Sequence, residues 1–263
     1  MANYWTERNK PYQPGQKAPY KVSRSKIELY TQCPRCFWLD VRLKVKRPDG
    51  PPFQINKAVD ELLKKEFDSY RLQGKPHPLM ADNQIKAVPM QHASLDKWRH
   101  NFTGVATLHE PTNLHVFGAI DDIWINDAGE AIVVDYKATA KASEVSLDAD
   151  WQMSYKRQIE VYQWLLRQNG LTVSNMSYFV YTNGRLDLEG FFDRVEFRTK
   201  VIPYEGNDDW VEPTLIALKA CMDGDMPAVG QAAMGGECDF CSYAKKRTEL
   251  TLQAMQNKNK RKA

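Results

Sequence analysis

No stretch of the chain reaches the roughly eighteen predominantly apolar residues a membrane-spanning helix needs, and Met1-Ala2-Asn3-Tyr4 leads into no secretory hydrophobic segment. A soluble, cytoplasmic protein with no membrane partner is expected. Excess charge is also scarce: 36 Lys and Arg against 33 Asp and Glu leave +3, too little to mark a polyanion-binding protein by its total. Internal repeats and a low-complexity core are absent. Cysteines number five, an odd and small set that excludes a secreted disulfide framework, and neither close pair has an evident histidine partner for cysteine catalysis. Only five histidines occur, and His109 and His115 read as strand or surface residues.

What is present is enough for a core. With 43% hydrophobic and 11% aromatic residues in 263, burial offsets the entropy of ordering the backbone, and one compact body is expected. Residues 1–22 are polar and rich in Pro, Gly and Lys and read as a flexible arm; 23–245 form the folded body; 246–263 form a basic tail. From Lys245 to the end, seven basic residues stand against Glu249 alone, a run that attracts phosphate or solubilises the terminus.

Hydrophobic periodicity places the elements. Ser25 and Glu28 suggest a capping box opening a helix through Tyr30, which delivers Cys33. After the Arg47-Pro48-Asp49-Gly50 break, Ile55, Val59, Leu62, Leu63 and Phe67 recur at helical spacing as one apolar face. Residues 71–100 have no consistent period. Strands are expected over 105–109, 114–125 and 131–137, then a helix capped by Asp150 that ends near Asn169-Gly170. Strands over 175–181 and 186–198 around a Thr182-Asn183-Gly184 turn, a helix over 210–221 and a loop over 227–236 complete the chain.

The most informative run is Gly118-Ala119-Ile120-Asp121 followed by Val133-Val134-Asp135-Tyr136-Lys137. Asp135 and Lys137 are two apart on a strand and share a face, and Asp121 on the preceding strand is brought opposite them. Two carboxylates suit Mg²⁺ or Mn²⁺, and an ammonium beside them neutralises charge developing on a phosphate or orients a water. An ordinary surface Asp–Lys pair is the alternative, but a charge among Ile132, Val133 and Val134 is costly unless it is used. Gln158 and Tyr162 are four apart on one helical side, where an amide and a hydroxyl could contact water or phosphate. Glu160 faces elsewhere.

Cys33-Pro34-Arg35-Cys36 and Cys238-Asp239-Phe240-Cys241 read as two chelating pairs, four soft ligands for structural Zn²⁺ or an iron–sulfur cluster joining the two ends of the body. Cys221 stands outside them as a small hydrophobe.

The ordered set Ser25-Lys26-Ile27 through Cys33-Pro34, Gly118-Ala119-Ile120-Asp121, Asp135-Tyr136-Lys137 and Gln158-Ile159-Glu160-Val161-Tyr162 resembles the RecB-type branch of the PD-(D/E)XK nuclease superfamily, as in CRISPR-associated and AddB-type nuclease domains. The resemblance implies an α/β, restriction-endonuclease-like mixed sheet flanked by helices, metal held by Asp121 and Asp135, and catalytic support from Lys137. It also implies that Asn56-Lys57-Ala58-Val59-Asp60 lies on the early helix that often supplies a histidine, so Asp60 becomes a third oxygen ligand. Related nucleases commonly build a [4Fe-4S] cluster from one early and three late cysteines; here Arg247 stands near the place of a late cysteine and Cys36 is added, which leaves Zn²⁺ equally open.

The expected activity is metal-dependent hydrolysis of DNA, single-stranded or frayed, with RNA not excluded and Trp98, Trp124 or Trp151 stacking bases where exposed. The alternatives are a non-catalytic nucleic-acid-binding module, or a metal-clasped scaffold for a repair or defence complex.

Overall fold

A computed structural model describes residues 10–50, 53–230 and 236–260. The chain opens with β1 (Tyr20–Ser23), α1 (Arg24–Gln32), α2 (Pro34–Leu43) and α3 (Gln54–Gln73), followed by α4 (Pro78–Asp82), β2 (Ala87–Pro89) and α5 (Leu95–Arg99). Then come β3 (Val105–His109), β4 (Leu114–Gly118), β5 (Asp122–Asn126), β6 (Ala131–Thr139), α6 (Met153–Gln168), β7 (Met176–Gly184), β8 (Phe197–Glu205), α7 (Val211–Asp223) and α8 (Asp239–Lys260). Five strands in the order β2-β5-β6-β7-β8 form the main sheet, mixed because β6 and β7 run parallel while the other neighbours are antiparallel. Strands β1-β4-β3 form a second, smaller sheet. The fold is α/β, with helices flanking mixed sheets and a cysteine cluster joining N- and C-terminal segments. Among the described residues no helix is long and apolar enough to cross a membrane.

Strand β6 is central because its apolar residues serve two cores. Val133 joins the cluster that includes Ile159, Tyr162 and Leu166 of α6, whereas Ile132, Val134 and Tyr136 join Leu63 and Phe67 of α3. The strand's alternation therefore turns Asp135 and Lys137 toward α6, on the same face as Val133. Within α3 the expected apolar stripe is narrower than the sequence pattern suggests: Leu63 and Phe67 are buried, but Ile55 and Leu62 are 58% and 61% exposed.

Several local expectations fail for identifiable reasons. The chain over 10–22 is not all extended arm: Tyr12 is buried and hydrogen-bonds Asp223, and β1 pairs in parallel with β4. The Ser25–Glu28 capping box does not form, because α1 begins at Arg24 and Glu28 is engaged by Arg157 at 2.7–2.8 Å. Residues 114–125 are two strands in different sheets, separated at 119–121, so Asp121 lies in the crossing between the sheets and not within a strand. A short turn over Asp150–Gln152 precedes α6, and Asp150 does not cap it. Thr182-Asn183-Gly184 is no turn; these residues extend β7 and pair with Thr199, Arg198 and Phe197, which moves the connection to 185–196. The loop expected over 227–236 lies partly outside the described residues. From 246 to 260 the chain continues α8, exposed through residue 258, and the rest of the basic run lies outside the described residues.

Candidate active site and cysteine clasp

The crossing from β4 to β5 places Asp121 at the rim of the main sheet. Its Oδ2 accepts a hydrogen bond of 2.9 Å from the backbone N–H of Tyr136, the residue between Asp135 and Lys137. Three sequence-nominated groups are thereby gathered at one point of β6. Asp135 is fully buried, and its Oδ2 is ion-paired with the Lys137 ammonium yet completes no hydrogen bond. Its Oδ1 accepts from Gln158 Nε2 at 2.8 Å, and the same amide reaches the Tyr162 hydroxyl at 3.2 Å. Gln158 and Tyr162, both buried, thus reach the site from α6 at the four-residue spacing read from the sequence.

Tyr162 approaches so closely because residue 118 has no side chain. A Cβ there would meet Tyr162 Cε1 at 2.6 Å and Arg24 Cβ at 3.3 Å. Arg24 itself keeps a buried Nε without a hydrogen-bond partner among the described residues, and its charge reaches Tyr162.

Asp60 enters from α3. Its Oδ2 accepts from Lys64 at 2.7 Å, and Lys64 Nζ lies 4.0 Å from Asp121 Oδ1. Burial and then the Asp121 carboxylate raise the Asp60 pKa. Asp121 is pushed up to about 6, first by burial and then by the negative charge of Asp135. For Lys137 burial works the other way, but Asp135 and Asp121 more than offset it and hold the ammonium above its ordinary value. Carboxylates that repel one another make a donor set suited to a hard divalent cation. Among the described residues, however, Asp60, Asp121 and Asp135 do not bring three oxygens within 4.8 Å of one another; the cysteines form the one cluster that meets that limit.

Sequence reasoning missed Lys64, although its four-residue spacing from Asp60 on α3 was available as a signal. It also missed Tyr155, whose ring lies 4.5 Å from Lys137 Nζ and meets Trp151 edge-on at 5.4 Å. Of the three tryptophans expected to stack bases, two are corrected. Trp98 is buried against His92, and Trp124 is fully buried against Phe67 and Tyr178. Trp151 is 55% exposed beside the site. Glu160 does face away, accepting from Tyr204, Asn207 and Trp210.

The neighbour of Asp121 plays a separate part. Asp122 has no exposed surface, pairs with Arg71 and with Arg99, and accepts from the Tyr136 hydroxyl at 2.8 Å.

The clasp brings together Cys33, Cys36, Cys238 and Cys241, all free thiols. Cys33 ends α1 and caps α2, with its sulfur accepting from the Cys36 N–H at 3.4 Å. Cys238 and Cys241 stand at the start of α8. Cys221 lies apart, packed on the main core near the Pro34 carbonyl, and burial pushes its thiol up to about 11.

A mixed sheet that carries Asp135 and Lys137 on its central strand, with Asp121 at its rim, is consistent with a nuclease-like scaffold. Residues 21–245 match the model of the PD-(D/E)XK nuclease superfamily, and the chain belongs to that superfamily. No curated protein is significantly similar to it. One solved structure, that of SSO0001, is 15% identical over 81% of this chain and 80% of its own, with a TM-score of 0.37, a likeness too loose to carry argument.

Proposed function

We propose that the chain is a divalent-metal-dependent nuclease of the RecB-type branch, hydrolysing phosphodiester bonds in DNA that is single-stranded or frayed. The observation that carries this reading is the hydrogen bond from the Tyr136 N–H to Asp121, which sets that carboxylate between Asp135 and Lys137 on β6. Asp121 and Asp135 would hold Mg²⁺ or Mn²⁺, with Asp60 close enough in charge to modulate them. A cation there supplies a Lewis acid for a phosphoryl oxygen and lowers the pKa of a bound water.

The protein's own groups do the rest. Gln158 fixes Asp135 through Oδ1 and leaves Oδ2 turned to Lys137. Lys137, whose ammonium Asp135 and Asp121 favour in the metal-free protein, would offset negative charge that grows on phosphate during attack. Burial keeps the Tyr162 hydroxyl protonated as a donor. Arg24 offers a guanidinium whose buried Nε has no hydrogen-bond partner among the described residues, suited to phosphate oxygens. Trp151 and Tyr155 form an aromatic margin on which a base can stack.

The test is a matrix of Mg²⁺ and Mn²⁺ against labelled single-stranded, blunt and frayed DNA and against RNA, with Asp135→Ala and Lys137→Ala beside the natural chain. Cleavage of DNA that collapses in both folded variants is expected; no turnover on any substrate with the metal bound would overturn the reading.

A second reading has a specific observation in its favour: Asp60 stands where the resemblance expects histidine and is bonded to Lys64, while among the described residues only the cysteines converge within metal-cluster distance. In that case the chain binds nucleic acid in a salt-dependent manner without cutting it, or serves as a clasped scaffold for a repair or defence partner. Binding without turnover in the same matrix selects the first of these, and partner recovery without DNA affinity selects the other.

A further inference from the structure

We propose that the four cysteines hold a single zinc ion in a tetrahedral thiolate cage, and not the [4Fe-4S] cluster that the resemblance implies. The dimensions of the sulfur cage distinguish the two, whatever the chain does to nucleic acid. Sulfur separations are 3.8 Å for Cys33–Cys241, 3.8 Å for Cys36–Cys238 and 3.6 Å for Cys36–Cys241. The remaining pairs lie no more than 4.8 Å apart. A regular tetrahedron with edges of 3.6–3.8 Å has its centre about 2.2–2.3 Å from each corner, and Zn–S bonds are about 2.3 Å. The cage closes on one ion with a small contraction along its longer edges.

A cubane cluster does not fit those dimensions. Each thiolate would bind a different iron, so the separation between irons adds to the reach of two Fe–S bonds and spreads the sulfurs well beyond the observed limit. The walls have little room to retreat. Cys33, Cys36 and Cys238 are buried, and the loop at Gly230 passes directly over Cys33: a Cβ at residue 230 would lie 2.6 Å from Cys33 Cα and 2.8 Å from its sulfur. The Cys238 N–H is tied to the Gly230 carbonyl at 2.7 Å, which locks the late pair to the same loop. Disulfides are also a poor fit, since a bond needs about 2.05 Å and Cys241 is near both Cys33 and Cys36 with no preferred partner.

Four thiolates around a divalent ion carry two net negative charges, and Arg47 is placed to answer them. Its Nη2 donates to Cys238 Sγ at 3.3 Å and its Nη1 to Gln32 at 2.8 Å, while the guanidinium sits 4.5 Å from the Phe240 ring centroid. Arg47 is therefore a positioning residue for the cage, acting through Cys238.

The experiment is metal and sulfide analysis of the full chain, produced anaerobically with iron supplied in excess, together with its visible spectrum. One zinc per chain, negligible sulfide and no broad cluster absorption are expected. Cobalt exchanged into the site should give the intense visible bands of tetrahedral thiolate coordination. Arg47→Met should speed zinc loss to a chromogenic chelator by roughly 10- to 100-fold, the usual scale for losing an outer-shell contact. About four irons and four sulfides per chain would overturn the proposal. So would a lone iron without sulfide, or a folded chain that binds no metal at the cysteines.

Discussion

Asp121 and Asp122 are adjacent in sequence and lie in opposite electrostatic regimes. On one side, Asp122 and Asp68 meet Arg71 and Arg99, with the Tyr136 hydroxyl completing the set, so a fully buried carboxylate has every charge answered. On the other, Asp60, Asp121 and Asp135 form ion pairs, among the described residues, with Lys64 and Lys137 alone, and burial together with the Asp135 charge raises Asp121 to about 6. The same short segment therefore feeds a closed network that braces β5 against α3 and α5, and an open one that lacks positive charge. A cation is what the second network is short of, and the proposed metal-dependent activity would supply one.

Breaking the closed side should cost most in stability. Asp122→Ala leaves Arg71 and Arg99 buried without their shared partner and should lower the unfolding free energy by about 3–5 kcal/mol in urea titrations. A loss within experimental error would mean that the two regions do not differ as described. Breaking the open side should instead spare the fold and remove function: Asp135→Asn is expected to cut DNA hydrolysis by roughly 10²- to 10³-fold with an unchanged melting temperature. Equal rates in the variant and the natural chain would count against the site.

The pH response sharpens the contrast further. Asp121 titrates in the folded chain near 6, above its ordinary 3.8, so the folded state favours the proton. Its contribution to stability is present below about pH 4 and is lost as pH rises through 6. Asp121→Asn cannot ionise, so in the absence of added Mg²⁺ or Mn²⁺ its melting temperature should gain on the natural chain between about pH 4 and pH 6.5. A constant difference across that range would show that the raised value is not felt. The smallest effect is expected at the margin, where Trp151→Ala should weaken single-stranded DNA binding by about 1–3 kcal/mol in fluorescence anisotropy, while basal folding is untouched. Unaltered affinity would remove Trp151 from the interface.

Much of the site was legible because strand and helix periods survive folding. Asp135 and Lys137 share a face by the two-residue repeat, and Gln158 and Tyr162 by the helical one; their meeting across β6 and α6 follows from burying both apolar faces. Asp121 was readable as a neighbour of that pair but not as a residue between sheets. Apolar residues recur at Val116, Phe117, Ile120 and Ile123 on both sides of Asp121-Asp122, and nothing in them records that the strand changes partners after Gly118. Long-range charge pairing was equally hidden: Arg71 and Arg99 lie in the stretch without period, and only the fold turns them onto Asp122. The tryptophans show the same limit from the other direction, since composition does not say which rings pack inward. By contrast, the cysteine spacing predicted the pairs that converge, although their sulfur separations, on which the zinc proposal rests, needed coordinates.

The most direct test is a calorimetric Mn²⁺ titration of the chain with its cysteine site loaded, beside Asp121→Asn and Asp135→Asn. Saturable binding by the natural chain that disappears in both folded variants is predicted. Identical titrations for all three, or no binding by the natural chain, would contradict the claim that these carboxylates form a metal site.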